Sequence, residues 1–274
     1  MSQVTDGHHD AVCKNCGATL TGAYCAQCGQ SAHDNHKTTI AHLFHELTHE
    51  LLHVDGTIWR TLLTLMTRPG ALTAEYWEGR RASWIRPFRV FLIAAAIHFV
   101  AVSGIGPMNL DILLRKTDAG DYNVAIGTLN ERDRIRTPGT DVSEGERHEY
   151  LEKIRHVYAP VRYAAVPLFA VVSLLLYVRR QPFYADHLVF ALHFYAFWYA
   201  CSVIASPIPR ATAAIIVSLA TAAYLLLATR RLHHQGWLVS ALKSVALFAF
   251  MLLLEMALAM VAAAWVGRTY HGPA

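Results

Sequence analysis

Charge is scarce in this chain. Asp, Glu, Lys and Arg together make up 16% of its 274 residues, against about 25% in ordinary soluble domains. Cysteine is scarce too: five in the whole chain cannot staple a small disulfide scaffold. No Gly-rich phosphate loop and no Gly-x-Ser-x-Gly nucleophile elbow occurs, so neither nucleotide-cradling nor serine-hydrolase chemistry has its usual signature. Residues 1–87 contain no apolar signal-peptide core, and no cleaved leader is expected. A basic soluble segment is also missing. The net charge of +4 divides into −1 over residues 1–87, −2 over 109–159 and +7 over the rest, so no nucleic-acid footprint is present. Apolar residues, at 54%, are in surplus, which excludes a disordered chain.

The surplus is concentrated in five runs, at residues 88–108, 160–178, 188–206, 211–229 and 244–266. Each is about 19–23 residues long, enough to cross about 30 Å of hydrocarbon as a helix, and none has the polar face that a helix of a soluble core would need. The sequence therefore predicts an all-α polytopic membrane protein with about five transmembrane helices. The domains expected are a cysteine module at 1–36, amphipathic interfacial helices at 37–87, and a membrane domain at 88–274 with an external loop at 109–159. Within that loop 144–158 is expected as a short helix, and part of 130–150 as unstructured. Arg80, Arg81 and Arg86 precede the first run and Arg89 stands at its very start, Arg179 and Arg180 follow the second, and Arg230, Arg231 and Lys243 separate the last two. By the positive-inside rule this puts the N-terminus in the cytoplasm and the C-terminus in the periplasm.

Cys13-x2-Cys16-x8-Cys25-x2-Cys28 is the most specific motif. Two Cys-x-x-Cys knuckles each place two thiolates on one tetrahedral ion, and Gly17 and Gly29 suit the tight turn after each pair. One structural Zn²⁺ is expected, because cytosolic thiols stay reduced and four thiolates leave no position open for catalysis. Cys201 falls inside the third apolar run, where it reads as a small packing residue.

His42, His45, His49 and His53 line one side of an amphipathic helix over 40–66, opposite an apolar stripe. Within it His45-Glu46-Leu47-Thr48-His49 matches the H-E-x-x-H pattern of zinc peptidases. The pair faces away from the apolar stripe, and no third histidine follows at metzincin spacing, so a solvated helix face is expected rather than catalysis. Inside the apolar runs His98, His193 and Glu255 are the costly residues, candidates for a metal or proton relay or simply for interhelical hydrogen bonds. Arg80, Arg81 and Arg86 stand at headgroup level, available to anionic lipid or a phosphate ligand.

These pieces resemble the bacterial domain-of-unknown-function family numbered 3667. The resemblance rests on Cys13 and Cys16, on Tyr24-Cys25-x2-Cys28-Gly29-Gln30, and on Asp55-Gly56, Arg60-Thr61-Leu62 and Arg68-Pro69-Gly70. It continues through Glu75-Tyr76, Gly79-Arg80-Arg81, Pro87 and the stretch from Tyr184 to His193. It implies a zinc-ribbon inner-membrane protein of Gram-negative type, without an established activity. The function expected is a non-enzymatic adaptor whose cytoplasmic ribbon docks a protein partner beside the bilayer. A transporter using His98, His193 and Glu255 is the alternative, and an H-E-x-x-H peptidase the third.

Overall fold

The computed structural model describes residues 12–32, 57–102, 111–116, 122–127 and 139–270. The His42, His45, His49 and His53 stripe, with Glu46, lies outside the described residues. Of the helix expected over 40–66, only α1 (Thr57–Thr67) is described. It keeps the predicted face: Leu65 is buried and Ile58 packs against the same core. Trp59 and Leu63 stay exposed. After α1, Arg68-Pro69-Gly70 turns the chain into α2 (Ala71–Trp77).

Gly70 takes a left-handed φ of 74°, and a Cβ there would sit 2.9 Å from the Ala228 backbone. Arg231 Nη1 donates to the Pro69 carbonyl at 2.7 Å and fixes the same turn. Gly70→Ala is therefore expected to cost roughly 2–4 kcal/mol, from the left-handed conformation and the overpacking together. Thermal unfolding in nanodiscs measures it, with Gly145→Ala, which meets nothing within 4 Å, as the neutral control.

The described residues are mostly helical. Beyond α2 follow α3 (Pro87–Val102), α4 (Glu144–Val161), α5 (Ala165–Tyr177), α6 (Tyr184–Ala205), α7 (Arg210–His233) and α8 (Trp237–Thr269). Four stretches are long and apolar enough to cross a membrane: Glu144–Tyr177, Tyr184–Ala205, Ala211–His233 and Trp237–Thr269. α3 is apolar but shorter, and the remainder of the run expected at 88–108 lies beyond the described residues. The chain is thus a multi-pass membrane protein built on four such helices and a fifth, shorter one. α6 is the central helix, its residues from His187 to Phe197 buried without interruption against α3, α5 and α7. Large apolar side chains such as Leu175, Ile215, Leu219, Leu242 and Leu253 face outward, as lipid-facing residues do.

The segment between α3 and α4 differs from expectation. β1 (Asp111–Lys116) and β2 (Tyr122–Gly127) form an antiparallel hairpin, and β3 (Thr140–Asp141) adds to the other edge of β1, giving the order β2-β1-β3. Short strands of mixed polarity beside charged turns carry too weak a periodic signal to stand out in such a segment. α4 is longer than the helix expected there. Ser143 caps its N-terminus, the hydroxyl accepting from the Glu146 amide at 3.2 Å. A 3₁₀ turn, Arg162–Ala164, joins it to α5. α4 with α5, and α8 alone, each exceed the length needed to span by about 20 Å at 1.5 Å per residue. The overhanging ends pack on each other: Tyr150 and Ile154, one helical turn apart, bury against Ala263, Val266 and Tyr270.

Candidate metal centre and the buried polar groups

Each Cys-x-x-Cys pair opens a knuckle of the same form. Cys13 N donates to Ala18 O and Gly17 N to Cys13 O, both at 2.8 Å; Cys25 N donates to Gln30 O at 2.8 Å and Gly29 N to Cys25 O at 2.9 Å. Gly17 and Gly29 carry the left-handed φ values of 78° and 72° that close such turns, a conformation costly for any other residue. Two isolated bridges, Val12 with Thr19 and Tyr24 with Ser31, brace the knuckles. As a result the sulfurs of Cys13, Cys16, Cys25 and Cys28 lie within 4.8 Å of one another, close enough to hold a metal ion. Cys13 Sγ is 3.6 Å from Cys28 Sγ, and Cys16 Sγ is 3.5 Å from Cys25 Sγ. The backbone of Cys28 and then that of Gln27 hold the Cys25 thiol down to about 6, which favours the thiolate a metal needs.

The module is seated on its own membrane domain. Gln30, 2% exposed, bridges to the loop after α2. Its Nε2 donates to the Gly79 carbonyl at 2.8 Å, and its Oε1 accepts from the amides of Arg81 and Ala82 at 3.1 and 3.2 Å. Ser83 Oγ donates to Asn15 Oδ1 at 3.2 Å beside it. Gly79, with φ of 84°, lets the Lys14 side chain pass where a Cβ would otherwise project. A polar residue after Gly29 gives no hint in sequence that it pairs with a loop 49 residues away.

Two of the three basic residues expected at headgroup level, Arg80 and Arg81, have partners within this segment. Arg80 forks onto Glu75 through Nε and Nη2 at 2.6 and 2.9 Å, and also pairs with Glu78. The hydrogen bonds from Arg80 hold the Glu75 carboxyl below its ordinary value. Arg81 lies 4.5 Å from the Tyr76 ring centroid.

The three ionisable residues expected inside the membrane do not form one cluster. His193, buried, bonds through Nδ1 to the Thr73 hydroxyl at 2.9 Å, beneath α2 and on the ribbon side. The His–His–Glu grouping is therefore corrected: the hydrogen-bond partner of His193 is Thr73 of α2, and neither His98 nor Glu255 bonds it. Glu255 lies about 27 Å along α8 at 1.5 Å per residue, towards the hairpin side. Its Oε2 accepts from the Tyr158 hydroxyl at 2.6 Å and stands 3.9 Å from Arg162 Nη2. Arg162 in turn faces the Tyr158, Trp198 and Tyr199 rings at 5.4, 5.3 and 4.9 Å. His98 is half-buried, its ring 4.7 Å from that of Tyr199. Among the described residues, buried Glu255 Oε1 and Tyr195 Oη have no hydrogen-bond partner. Arg162 stands near one end of its apolar run in the sequence, where it reads only as an orientation residue; the lone charges of two runs meeting each other is the signal that would have found it.

Architecture and cysteine module together define a multi-pass helical membrane protein carrying a four-cysteine metal module on its own amino-terminal side. Residues 55–99 match the family model described as "Protein of unknown function (DUF3667)", the same family that the sequence resembles. The matched stretch includes α1, the Gly70 turn, α2, the Gly79–Ala82 seat of the ribbon and most of α3. No curated protein and no solved structure matches the chain significantly.

Proposed function

We propose that the protein is a non-enzymatic scaffold of a bacterial inner membrane, with the ribbon in the cytoplasm and the C-terminus in the periplasm. Its ribbon holds one structural Zn²⁺ and offers a docking face to a protein partner. The carrying observation is the Gln30 bridge, which holds the ribbon in one place above the membrane domain. A tetrahedral site with Zn–S near 2.3 Å has sulfur–sulfur edges of about 3.8 Å, close to the paired separations here. With four thiolates as ligands no coordination position is left for a substrate or water. Orientation is supported by the basic residues gathered on the ribbon side: Arg180 bonds the His233 carbonyl, Arg231 the Pro69 carbonyl and Lys243 the Leu176 carbonyl.

Val12 and Tyr24, 56% and 67% exposed, are apolar surface of the ribbon and are assigned the docking face. A photo-crosslinking residue at position 24, in intact membranes, is expected to give one discrete protein adduct that disappears with Val12→Asp while zinc is retained. A smear without a discrete adduct, or an adduct indifferent to Val12→Asp, argues against the scaffold reading. Transport is the second reading, favoured by the unpartnered Glu255 Oε1 deep in the bundle. Peptidase chemistry at His45, Glu46 and His49 is not part of the proposal.

A further inference from the structure

A cleft of about 560 Å³ opens between the ribbon, α1 and the loop after α2. Its volume falls in the range of small-molecule sites, about 300–1,000 Å³. One wall is formed by Arg60 and Thr64, four apart on α1, and by Arg68 just past its end, whose amide donates to the Thr64 carbonyl at 2.9 Å. Two guanidiniums thus flank a hydroxyl. Arg60 is held in place by Trp84, whose ring centroid is 4.4 Å from its Cζ. No described carboxylate forms an ion pair with Arg60 or Arg68. Glu75 also borders the cleft; both its oxygens accept from Arg80 and its charge also reaches Arg60, so one carboxylate stands among three guanidiniums.

The opposite wall is the ribbon. Asn15 ties it there, its side-chain carbonyl accepting from Ser83 Oγ. The cleft is thus lined by three arginines and one glutamate, an excess of positive charge.

We propose that this cleft binds a phosphate group, held by Arg60 and Arg68 with Thr64 between them. Guanidinium forks suit the tetrahedral oxygens of phosphate, and two of them match its double charge. The group belongs either to a small soluble phosphate or to an anionic lipid headgroup. The site is independent of the scaffold reading, whose docking face is Val12 and Tyr24.

The test uses the full-length zinc-loaded protein in phosphatidylcholine nanodiscs. Inorganic phosphate binding is followed by ³¹P NMR in one arm. In the other, phosphatidic acid is added to the disc and its retention is read by native mass spectrometry. Binding in the first arm identifies a soluble phosphate, and binding in the second alone identifies a lipid. In whichever arm binds, Arg60→Gln and Arg68→Gln are each expected to weaken affinity at least about tenfold, as loss of a charge-assisted pair does. Arg89→Gln, on α3 and away from the cleft, is expected to change nothing. Absence of binding in both arms overturns the proposal, as does an equal loss with Arg89→Gln, which would mark general attraction to charge. Should either cleft variant fail to retain one zinc, the unmodified protein still decides. Phosphate, or phosphatidic acid in the disc, must slow phenylglyoxal modification of Arg60 and Arg68, and unchanged rates refute the site.

Discussion

Replacing Cys25 with Ser is expected to strip the protein of its one metal ion and to unfold residues 12–32 while leaving the membrane helices in place. The ribbon has almost no core of its own: Cys13, Leu20 and Cys25 are its buried apolar residues, and two of these belong to the cysteine cluster that could hold a metal ion. A module this small depends on its metal, since structural zinc supplies roughly 10–16 kcal/mol of apparent binding free energy to domains that are otherwise unfolded. Because Gln30 sits directly after the second knuckle, unfolding also frees Gly79, Arg81 and Ala82 from their partner. Zinc content should therefore fall from one ion per chain to none, and the 79–82 loop should become susceptible to protease. Helical circular dichroism should hardly change. A Cys25→Ser protein that kept its zinc would show that the four sulfurs do not act as one site.

Arg162→Met is expected to destabilise the bundle by about 3–5 kcal/mol, the cost of leaving one member of a buried ion pair without the other. Glu255 is 2% exposed, and of the charged side chains around it Arg162 alone is within ion-pair distance among the described residues. Arg162→Met with Glu255→Leu together should recover much of the loss, because well-packed apolar residues replace such pairs at little cost; Tyr158 then keeps an unmatched hydroxyl and holds back part of the recovery. Unfolding in mixed micelles measures both variants. If Arg162→Met is as stable as the parent, the pair does not hold α8 to the turn between α4 and α5. Glu255→Gln keeps the hydrogen-bonded shape and separates structure from transport. Loss of a proton-coupled flux in proteoliposomes with stability intact would favour the transport reading over the scaffold.

What the sequence made legible was local or compositional. The Cys-x-x-Cys spacings and Gly17 and Gly29 specify the knuckles within a few residues, and an apolar run declares its own length. What it concealed was pairing across distance. His193, Glu255 and His98 look alike as lone polar residues in apolar runs, yet Thr73 of α2 takes the first, Arg162 and Tyr158 the second, and the Tyr199 ring the third. That Arg80 forks onto Glu75, five residues earlier, is likewise a pairing that composition does not show. Gln30 looked ordinary, and is the residue that turns a tethered ribbon into a seated one.

Amide hydrogen exchange at Arg81 and Ala82 reads the seating of the ribbon itself. In nanodiscs with zinc bound, both amides should be protected through Gln30 Oε1. Chelation of the zinc, or Gln30→Ala with zinc retained, should remove that protection while α6 amides stay unchanged. Protection that survives both treatments, or is absent in the zinc-bound protein, would contradict the account.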